Sequence, residues 1–227
     1  MVGMIKKFNI AGIQLDNYSA RECVMAVERM LSENAFHMVE EVNMDMVMLA
    51  ASDEAVSETL NRLDCSIIAE KGILDVAGER SVGYRETDAD DCFYEILKRL
   101  ERNHKSVFLL AEGKKELQEI EQYVKKNFER LTIAGMVATE EFVEDEDAIV
   151  NEINAATVDV IFSVMPSPKQ EHFLSNNRGK MSAILWYGVG NCKFAKRKYS
   201  LLRSIQKRIR IYKLENHIRK YEKQGEE

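Results

Sequence analysis

Apolar runs of strand length alternate with amphipathic helical segments through much of this chain. The clearest strands are predicted at residues 107–111 and 158–164, two short apolar runs rich in branched aliphatic residues. Between these runs, apolar residues recur at helical spacing over residues 117–128, as in a helix with one buried face. Short links join the segments from residue 107 to residue 190. The pattern predicts an α/β fold: a Rossmann-like, open, mostly parallel sheet with helices on both faces.

The first third of the chain predicts shorter elements. Residues 5–15 predict a β-hairpin or an edge strand with a polar turn. A Ser-x-x-Glu capping box begins at Ser19, so a helix is expected to start there. Residues 36–42 predict a strand, although they include two consecutive glutamates. Ser52 is predicted to cap a further helix, and residues 65–69 predict a short apolar strand.

Two of the predicted strands end beside each other in polar or glycine-rich turns. The strand at 158–164 runs into Pro166-Ser167-Pro168 and then into Lys169-Gln170-Glu171. The strand at 183–187 ends in Gly188-Val189-Gly190. Ligands of open α/β sheets bind in the crevice beyond the carboxyl ends of the strands, so a site is expected here. Taken alone, the Lys-Gln-Glu sequence favours an ordinary strand-to-helix turn with solvated charges.

Charge is distributed unevenly along the chain. The 227 residues carry a net charge of −6. Residues 193–220 contain eleven Lys or Arg against one acid and carry +10, whereas residues 1–192 carry −14. We therefore expect two parts, an α/β domain over residues 1–192 and a basic helical tail over residues 193–227.

The tail is predicted to be a basic amphipathic helix over residues 196–221. Its apolar residues follow helical spacing from Leu202 to Tyr212 and again from Ile211 to Tyr221. The basic residues expected to bind an anionic membrane surface are Arg203, Lys207, Arg208, Arg210 and Lys213. The same pattern fits a helix that packs on its own acidic body or on a partner subunit. Nucleic-acid binding is disfavoured, because the body is strongly acidic.

Composition disfavours several classes of protein and site. No apolar run is long enough to span a membrane, and the N-terminus lacks the sustained apolar core of a signal peptide. The four cysteines and four histidines show no metal-ligand spacing, so neither a metal nor another cofactor is expected. Scattered cysteines of this kind are typical of reduced thiols in a cytosolic protein.

The segment that follows the 158–164 strand resembles a family signature. Pro168-Lys169-Gln170-Glu171, with Asn176, Asn177 and Arg178 downstream, is similar to the signature of the WecG/TagA/CpsF glycosyltransferases. The resemblance implies an inverting, metal-independent transfer of an N-acetylmannosamine-type or related sugar from a UDP-sugar. The implied acceptor is a polyprenyl-diphosphate-linked sugar of cell-surface polysaccharide synthesis. The implied location is cytoplasmic and peripheral, at the inner face of the cell membrane.

The same resemblance assigns roles to individual residues. The family places its catalytic base in an Asp-Gly turn after the second strand. The matching acid here is Glu70, with the glycine displaced to Gly72. Substrate binding is implied for Asn43, Asp88, Lys169, Gln170, Glu171, Gly188 and Gly190.

Departures from the family pattern leave more than one function open. Glu41 stands where the family has a Thr, and only Asp88 remains of a Gly-x-Asp pattern. The first hypothesis is an active transferase. The second is a catalytically degenerate paralogue that serves as a binding or scaffolding subunit, and a different nucleotide-binding α/β protein is a remote third. A homo-oligomer or a complex with a partner glycosyltransferase fits the first two.

Overall fold

The computed structural model describes most of the chain. It covers residues 7–70, 72–76, 89–142, 145–190 and 201–224, with only the backbone described for 89–91, 201–209 and 224. The described strands are β1 (Lys7–Ile10), β2 (Ile13–Asp16), β3 (His37–Val42), β4 (Cys65–Ile68), β5 (Ser106–Ala111), β6 (Thr132–Ala138), β7 (Val160–Ser163) and β8 (Leu185–Gly188). The described α-helices are α1 (Ala20–Met30), α2 (Met44–Leu49), α3 (Glu54–Asn61), α4 (Gly72–Val76), α5 (Ala89–Arg102), α6 (Lys114–Asn127), α7 (Glu146–Ala156), α8 (Lys169–Asn177) and α9 (Leu201–Gln224).

Six strands form one parallel sheet in the order β4-β3-β8-β7-β5-β6. Strand β8 lies between β3 and β7, with Leu185 opposite both His37 and Val160. The last described strand in sequence therefore lies inside the sheet. As a result, four strand ends that are far apart in sequence become neighbours. The prediction of an α/β, Rossmann-like, parallel sheet is confirmed.

Consecutive residues of each strand alternate between two apolar layers. On β5, Val107 and Leu109 belong to one layer, and Phe108 and Leu110 belong to the other. Helices α1, α5 and α6 cover the first face of the sheet, and α2, α3, α7, α8 and α9 contribute to the second. Because both faces are covered, strands β5, β7 and β8 are buried along their length rather than at alternate residues.

A small antiparallel hairpin, β1-β2, lies beside the edge strand β4. Its turn is Ala11-Gly12, where both residues adopt positive φ angles of 49° and 86°. Asp16 accepts a hydrogen bond from the Ser66 backbone N–H at 2.9 Å, and the Ser66 hydroxyl accepts from the Asp16 N–H at 2.6 Å. These bonds attach the hairpin to β4. Of the two alternatives predicted for residues 5–15, a hairpin or an edge strand, the pairing of β1 with β2 shows the hairpin over the described residues 7–16.

Local signals located the starts of α1 and α3 to within a residue. The capping box at Ser19 is present, with the Ser19 and Glu22 side chains each bonded to the other's backbone N–H. Helix α3 is capped by Asp53 and not by Ser52, because the Asp53 carboxylate accepts from the Val56 N–H at 3.2 Å. Both residues favour N-cap positions, and the sequence alone did not distinguish them.

The C-terminal helix α9 packs on the body through α2 and α4. Leu214 is fully buried in the second apolar layer, and Ile211 and Ile218 pack against the same layer. Tyr212 lies on the outer side and is 63% exposed. The predicted C-terminal helix is therefore present, and the stripe containing Leu214 contacts the protein itself. None of the helices in the described ranges combines the length and apolarity needed to cross a membrane.

Candidate functional site

The carboxyl ends of four neighbouring strands bring most of the predicted site residues to one edge of the sheet. Asn43 follows β3, Glu70 lies two residues beyond β4, and Gly188 is the last residue of β8. Gln170 and Glu171 lie in the first turn of α8, which follows β7. Because the strands are parallel, these ends converge, and this is where open α/β sheets bind ligands. Asp88 lies outside the described residues.

Asn43 and Glu70 both contact the start of helix α2. The Asn43 side-chain oxygen accepts from the Met46 N–H at 3.0 Å and so caps the helix. Glu70 Oε2 accepts from the Met44 N–H at 3.4 Å. The two predicted residues therefore lie side by side, and Asn43 has a structural role of its own.

Arg210 of α9 joins Glu70 to Asp45, and we name these three residues the Arg210 ion-pair cluster. Arg210 Nη1 lies 2.9 Å from Glu70 Oε1, and Nη2 lies 2.6 Å from Asp45 Oδ2. The side chains of Arg210 and Glu70 are about one-third and one-quarter exposed, at 33% and 26%. The tail thus brings a cation to the predicted base, whereas the sequence assigned Arg210 to the membrane.

Gln170 and Glu171 are buried, with exposed fractions of 1% and 0%. Gln170 Nε2 donates to Glu40 Oε1 at 3.2 Å, and the Trp186 indole N–H donates to the same oxygen at 3.3 Å. We name Glu40, Gln170, Glu171 and Trp186 the buried acid–amide cluster. The expectation of an ordinary turn with solvated side chains is therefore wrong for Gln170 and Glu171, because the first turn of α8 directs both into the protein interior.

Glu40 was missed as a member of the site. The sequence places Glu40 within a predicted strand, and its side chain is fully buried. Burial raises its pKa well above the usual range, and the nearby Glu171 carboxylate raises it further. Burial also raises the pKa of Glu171, against the effect of the Ser167 hydroxyl, which donates to Glu171 Oε1 at 2.6 Å. An acid inside an otherwise apolar strand was the signal that could have identified it.

Gly188 provides space for the buried acid–amide cluster. A Cβ atom at this position would lie 2.5 Å from Gln170 Nε2 and 2.8 Å from Glu40 Cγ. The glycine is therefore required by the packing of Gln170. Gly190 has a φ of 62°, a left-handed conformation that favours glycine, and a Cβ there would meet open space.

Lys169 and Glu41 both contact other side chains of the protein. The Lys169 ammonium group contacts the Glu112 carboxylate, at the end of β5, and the lysine side chain is 64% exposed. Glu41, the neighbour of Glu40, points to the opposite face of the sheet, where its Oε1 accepts from the Tyr187 hydroxyl at 3.0 Å. Burial and the Glu41 carboxylate raise the pKa of Tyr187.

The polar residues at the end of α8 connect it to helix α7. Asn177 donates to Glu146 Oε2 at 2.6 Å and to the Phe173 carbonyl at 3.0 Å. Asn176 donates to the same Glu146 oxygen at 3.3 Å. Part of the signature segment therefore holds α8 in place. Within the described residues, no group of three or more His, Cys, Asp or Glu could hold a metal ion.

Comparison with known proteins identifies the family. A family model described as "Glycosyl transferase WecG/TagA/CpsF family" matches residues 8–193. A curated relative is an N-acetylglucosaminyldiphosphoundecaprenol N-acetyl-beta-D-mannosaminyltransferase of Bacillus spizizenii, 28% identical over 100 residues. That similarity covers 44% of this chain and 38% of the relative. Because the family model extends over most of the chain, from the hairpin to the end of the sheet, this protein belongs to the WecG/TagA/CpsF family of glycosyl transferases.

Proposed function

We propose that this protein transfers an N-acetylmannosamine-type sugar from a UDP-sugar to a polyprenyl-diphosphate-linked acceptor in cell-surface polysaccharide synthesis. The observation that carries the proposal is the convergence of Asn43, Glu70 and Gln170 at the carboxyl ends of adjacent parallel strands. The family match and the name of the Bacillus spizizenii relative support the sugar and acceptor classes.

The proposed reaction is a single displacement with inversion. Glu70 accepts the proton of the acceptor hydroxyl while that oxygen attacks the anomeric carbon of the donor sugar. The bond from the anomeric carbon to the diphosphate oxygen breaks, and UDP leaves with its electron pair. Asn43 and Gln170 are proposed to bind the nucleotide-sugar, together with Asp88 and with Lys169, Glu171, Gly188 and Gly190 around the α8 turn and the end of β8.

We place the enzyme at the inner face of the membrane, with α9 as its contact. The inner side of α9 packs on the body through Leu214 and Arg210. The outer side is proposed to provide the membrane contact, and Lys213, Arg219, Lys220 and Lys223 are exposed basic residues of the described part of α9. Arg203, Lys207 and Arg208 precede them on the same helix and are proposed to extend this basic surface.

Vesicle binding tests the membrane proposal. The variant Lys213→Glu/Arg219→Glu/Lys220→Glu should lose sedimentation with anionic vesicles. The same number of reversals on the exposed surface of α6, at Lys115, Lys125 and Lys126, provides a charge-matched control and should retain it. Equal binding by both variants would contradict a membrane contact through α9.

Donor binding tests the proposed activity. UDP and a panel of UDP-sugars should raise the melting temperature of the full chain through mass action, with the preferred donor acting at the lowest concentration. Gln170→Ala should weaken the shift. The matched control Asn154→Ala removes a side-chain amide on α7 that bonds to the Lys180 carbonyl, away from the strand ends, and should leave the UDP shift unchanged.

A non-catalytic binding or scaffolding subunit is the second candidate. The Arg210 ion-pair cluster favours it, because the predicted base already has a cationic partner at 2.9 Å. A measurement of turnover distinguishes the two candidate functions. A chain that binds UDP-sugar but forms no product with any lipid-linked acceptor would be a scaffold.

A further inference from the structure

The buried acid–amide cluster contains more acceptors than donors. Glu40 Oε2, Gln170 Oε1 and Glu171 Oε2 are buried, and none has a hydrogen-bond partner in the described part of the chain. Glu40 Oε1, in contrast, accepts from both Gln170 and Trp186. Buried polar atoms are nearly always paired in folded proteins, so three unpaired oxygens in one cluster require an explanation.

One proton on Glu40 would satisfy two of these oxygens together. The Gln170 amide N–H already donates to one oxygen of Glu40. A hydroxyl on the other Glu40 oxygen can donate to the Gln170 carbonyl oxygen, which completes a cyclic acid–amide pair. A carboxylate cannot do this, because it is an acceptor only and would face another acceptor.

The charges around the cluster also favour a neutral Glu40. No cation forms an ion pair with Glu40 or Glu171 among the described residues, so two carboxylates here would repel each other. Glu171 is the better anion of the two. It accepts from the Ser167 hydroxyl and lies in the first turn of α8, where the helix dipole favours negative charge.

The other titratable groups near the cluster either act on the pKa of Glu171, which His172 lowers and Asp53 raises, or lie on the opposite face of the sheet. On the α3 and α8 sides, Asp53 and His172 pair with each other at 2.7 Å. On β3 itself, Glu41 points to the opposite face and accepts from Tyr187. Neither set supplies a proton or a positive charge directly to Glu40.

We infer that Glu40 is a positioning residue that remains a neutral carboxylic acid and fixes the orientation of the Gln170 amide at the strand ends. A neutral acid holds the amide without adding a second negative charge beneath a site proposed to receive a diphosphate. The role of Gln170 in donor binding rests on the proposed function. The protonation of Glu40 does not depend on the proposed function, so the two claims can be tested separately.

The single tryptophan of the chain reports on this proton. Trp186 is the only tryptophan, and its indole N–H donates to Glu40. Its emission should change as Glu40 loses its proton, at a pH above the usual range for a glutamate. Glu40→Gln should abolish this transition. Glu171→Gln should move it to lower pH, because it removes the neighbouring negative charge.

Infrared spectra identify the protonated acid directly. At neutral pH the full chain should show a carboxylic-acid carbonyl band that Glu40→Gln removes. The unfolding constant provides a second readout, because a carboxyl with a raised pKa stabilises the folded state less as pH rises. Above the unfolded-state pKa, the wild-type unfolding constant should increase up to tenfold per pH unit relative to that of Glu40→Gln, until the folded-state pKa is passed.

The positioning role predicts rescue by the conservative variant. Glu40→Leu removes the partner of Gln170 and should weaken UDP binding on the order of tenfold, the effect of an unpaired buried amide. Glu40→Gln can form an amide–amide pair with Gln170 and should restore most of that affinity. If neither the carbonyl band nor the Glu40-dependent transition of Trp186 is found, the inference is overturned. If the wild-type chain shows the carbonyl band and the Trp186 transition but binds no UDP, the neutral state of Glu40 stands. The proposed function and the positioning role are then refuted.

Discussion

The buried acid–amide cluster and the Arg210 ion-pair cluster both lie at the carboxyl end of the sheet, but only the second contains a cation. In the first, Glu40 and Glu171 are fully buried, and the donors that bond to their side chains within the described residues are neutral. In the second, Glu70 is about one-quarter exposed and lies 2.9 Å from Arg210. The difference lies in solvation, because an exposed carboxylate is solvated by water whereas a buried one needs a partner or a proton.

The acids of the two clusters are suited to different roles. Glu70 is partly exposed at the edge of the sheet and has a cationic partner. A buried acid with neutral donors holds other groups in place. We therefore expect variants of the two clusters to differ in what they affect: turnover and salt dependence for the Arg210 ion-pair cluster, packing and pH dependence for the buried acid–amide cluster.

The largest effect is expected from Glu70→Gln. If Glu70 is the base, turnover should fall by about 10²–10⁴-fold while UDP affinity changes little, because a base acts mainly in the transition state. Steady-state kinetics and a UDP titration measure the two quantities. The matched control is Asp45→Asn, which removes the other partner of Arg210. Equal losses in the two variants would show that Glu70 acts only by anchoring α9.

Leu214→Ala tests whether packing of α9 supports the Arg210 ion-pair cluster. Leu214 is fully buried, so its truncation should lower the free energy of unfolding by about 2–5 kcal/mol. Tyr212→Ala, on the exposed side of the same helix, should cost far less. Urea unfolding measures both. A small effect of Leu214→Ala would mean that α9 is attached mainly by its charges.

Gly188→Ala tests the buried acid–amide cluster by overpacking. The new methyl group would collide with Gln170 and Glu40, at an expected cost of about 1–3 kcal/mol in the free energy of unfolding. Gly179→Ala is the control, because a Cβ at that position meets no atom within 4 Å. If the two substitutions cost the same, Gln170 has room to move and the cluster is looser than its contacts indicate.

The smallest effect is expected from Arg210→Gln. Its ion pairs are partly exposed, so their loss should lower the free energy of unfolding by about 0–1 kcal/mol. The difference from the wild type should shrink as salt is added, because salt screens exposed charges. Unfolding curves at low and high salt measure this. A large, salt-independent loss would place Arg210 with the buried groups and would weaken the contrast between the two clusters.

Much of the fold could be predicted from local patterns. The hairpin, the capping box at Ser19 and the parallel strands between residues 107 and 190 follow from turn chemistry and from periods of two and 3.6 residues. The candidate site was predicted less completely. Gln170 and Glu171 were found through their resemblance to a family, yet their burial was not predicted, because a charged sequence in a turn does not indicate which way its helix will face.

The sequence by itself determined which segments are strands, that the central ones run parallel, and that their polar ends meet at one edge. These properties depend on neighbours along the chain, so short-range periodicity encodes them. Only the tertiary structure decided that Glu40 holds Gln170 across 130 residues of sequence and that Arg210 reaches Glu70 across 140. Such contacts depend on the insertion of β8 between β3 and β7 and on the docking of α9. Both are fixed by the packing of whole layers, which no single segment specifies.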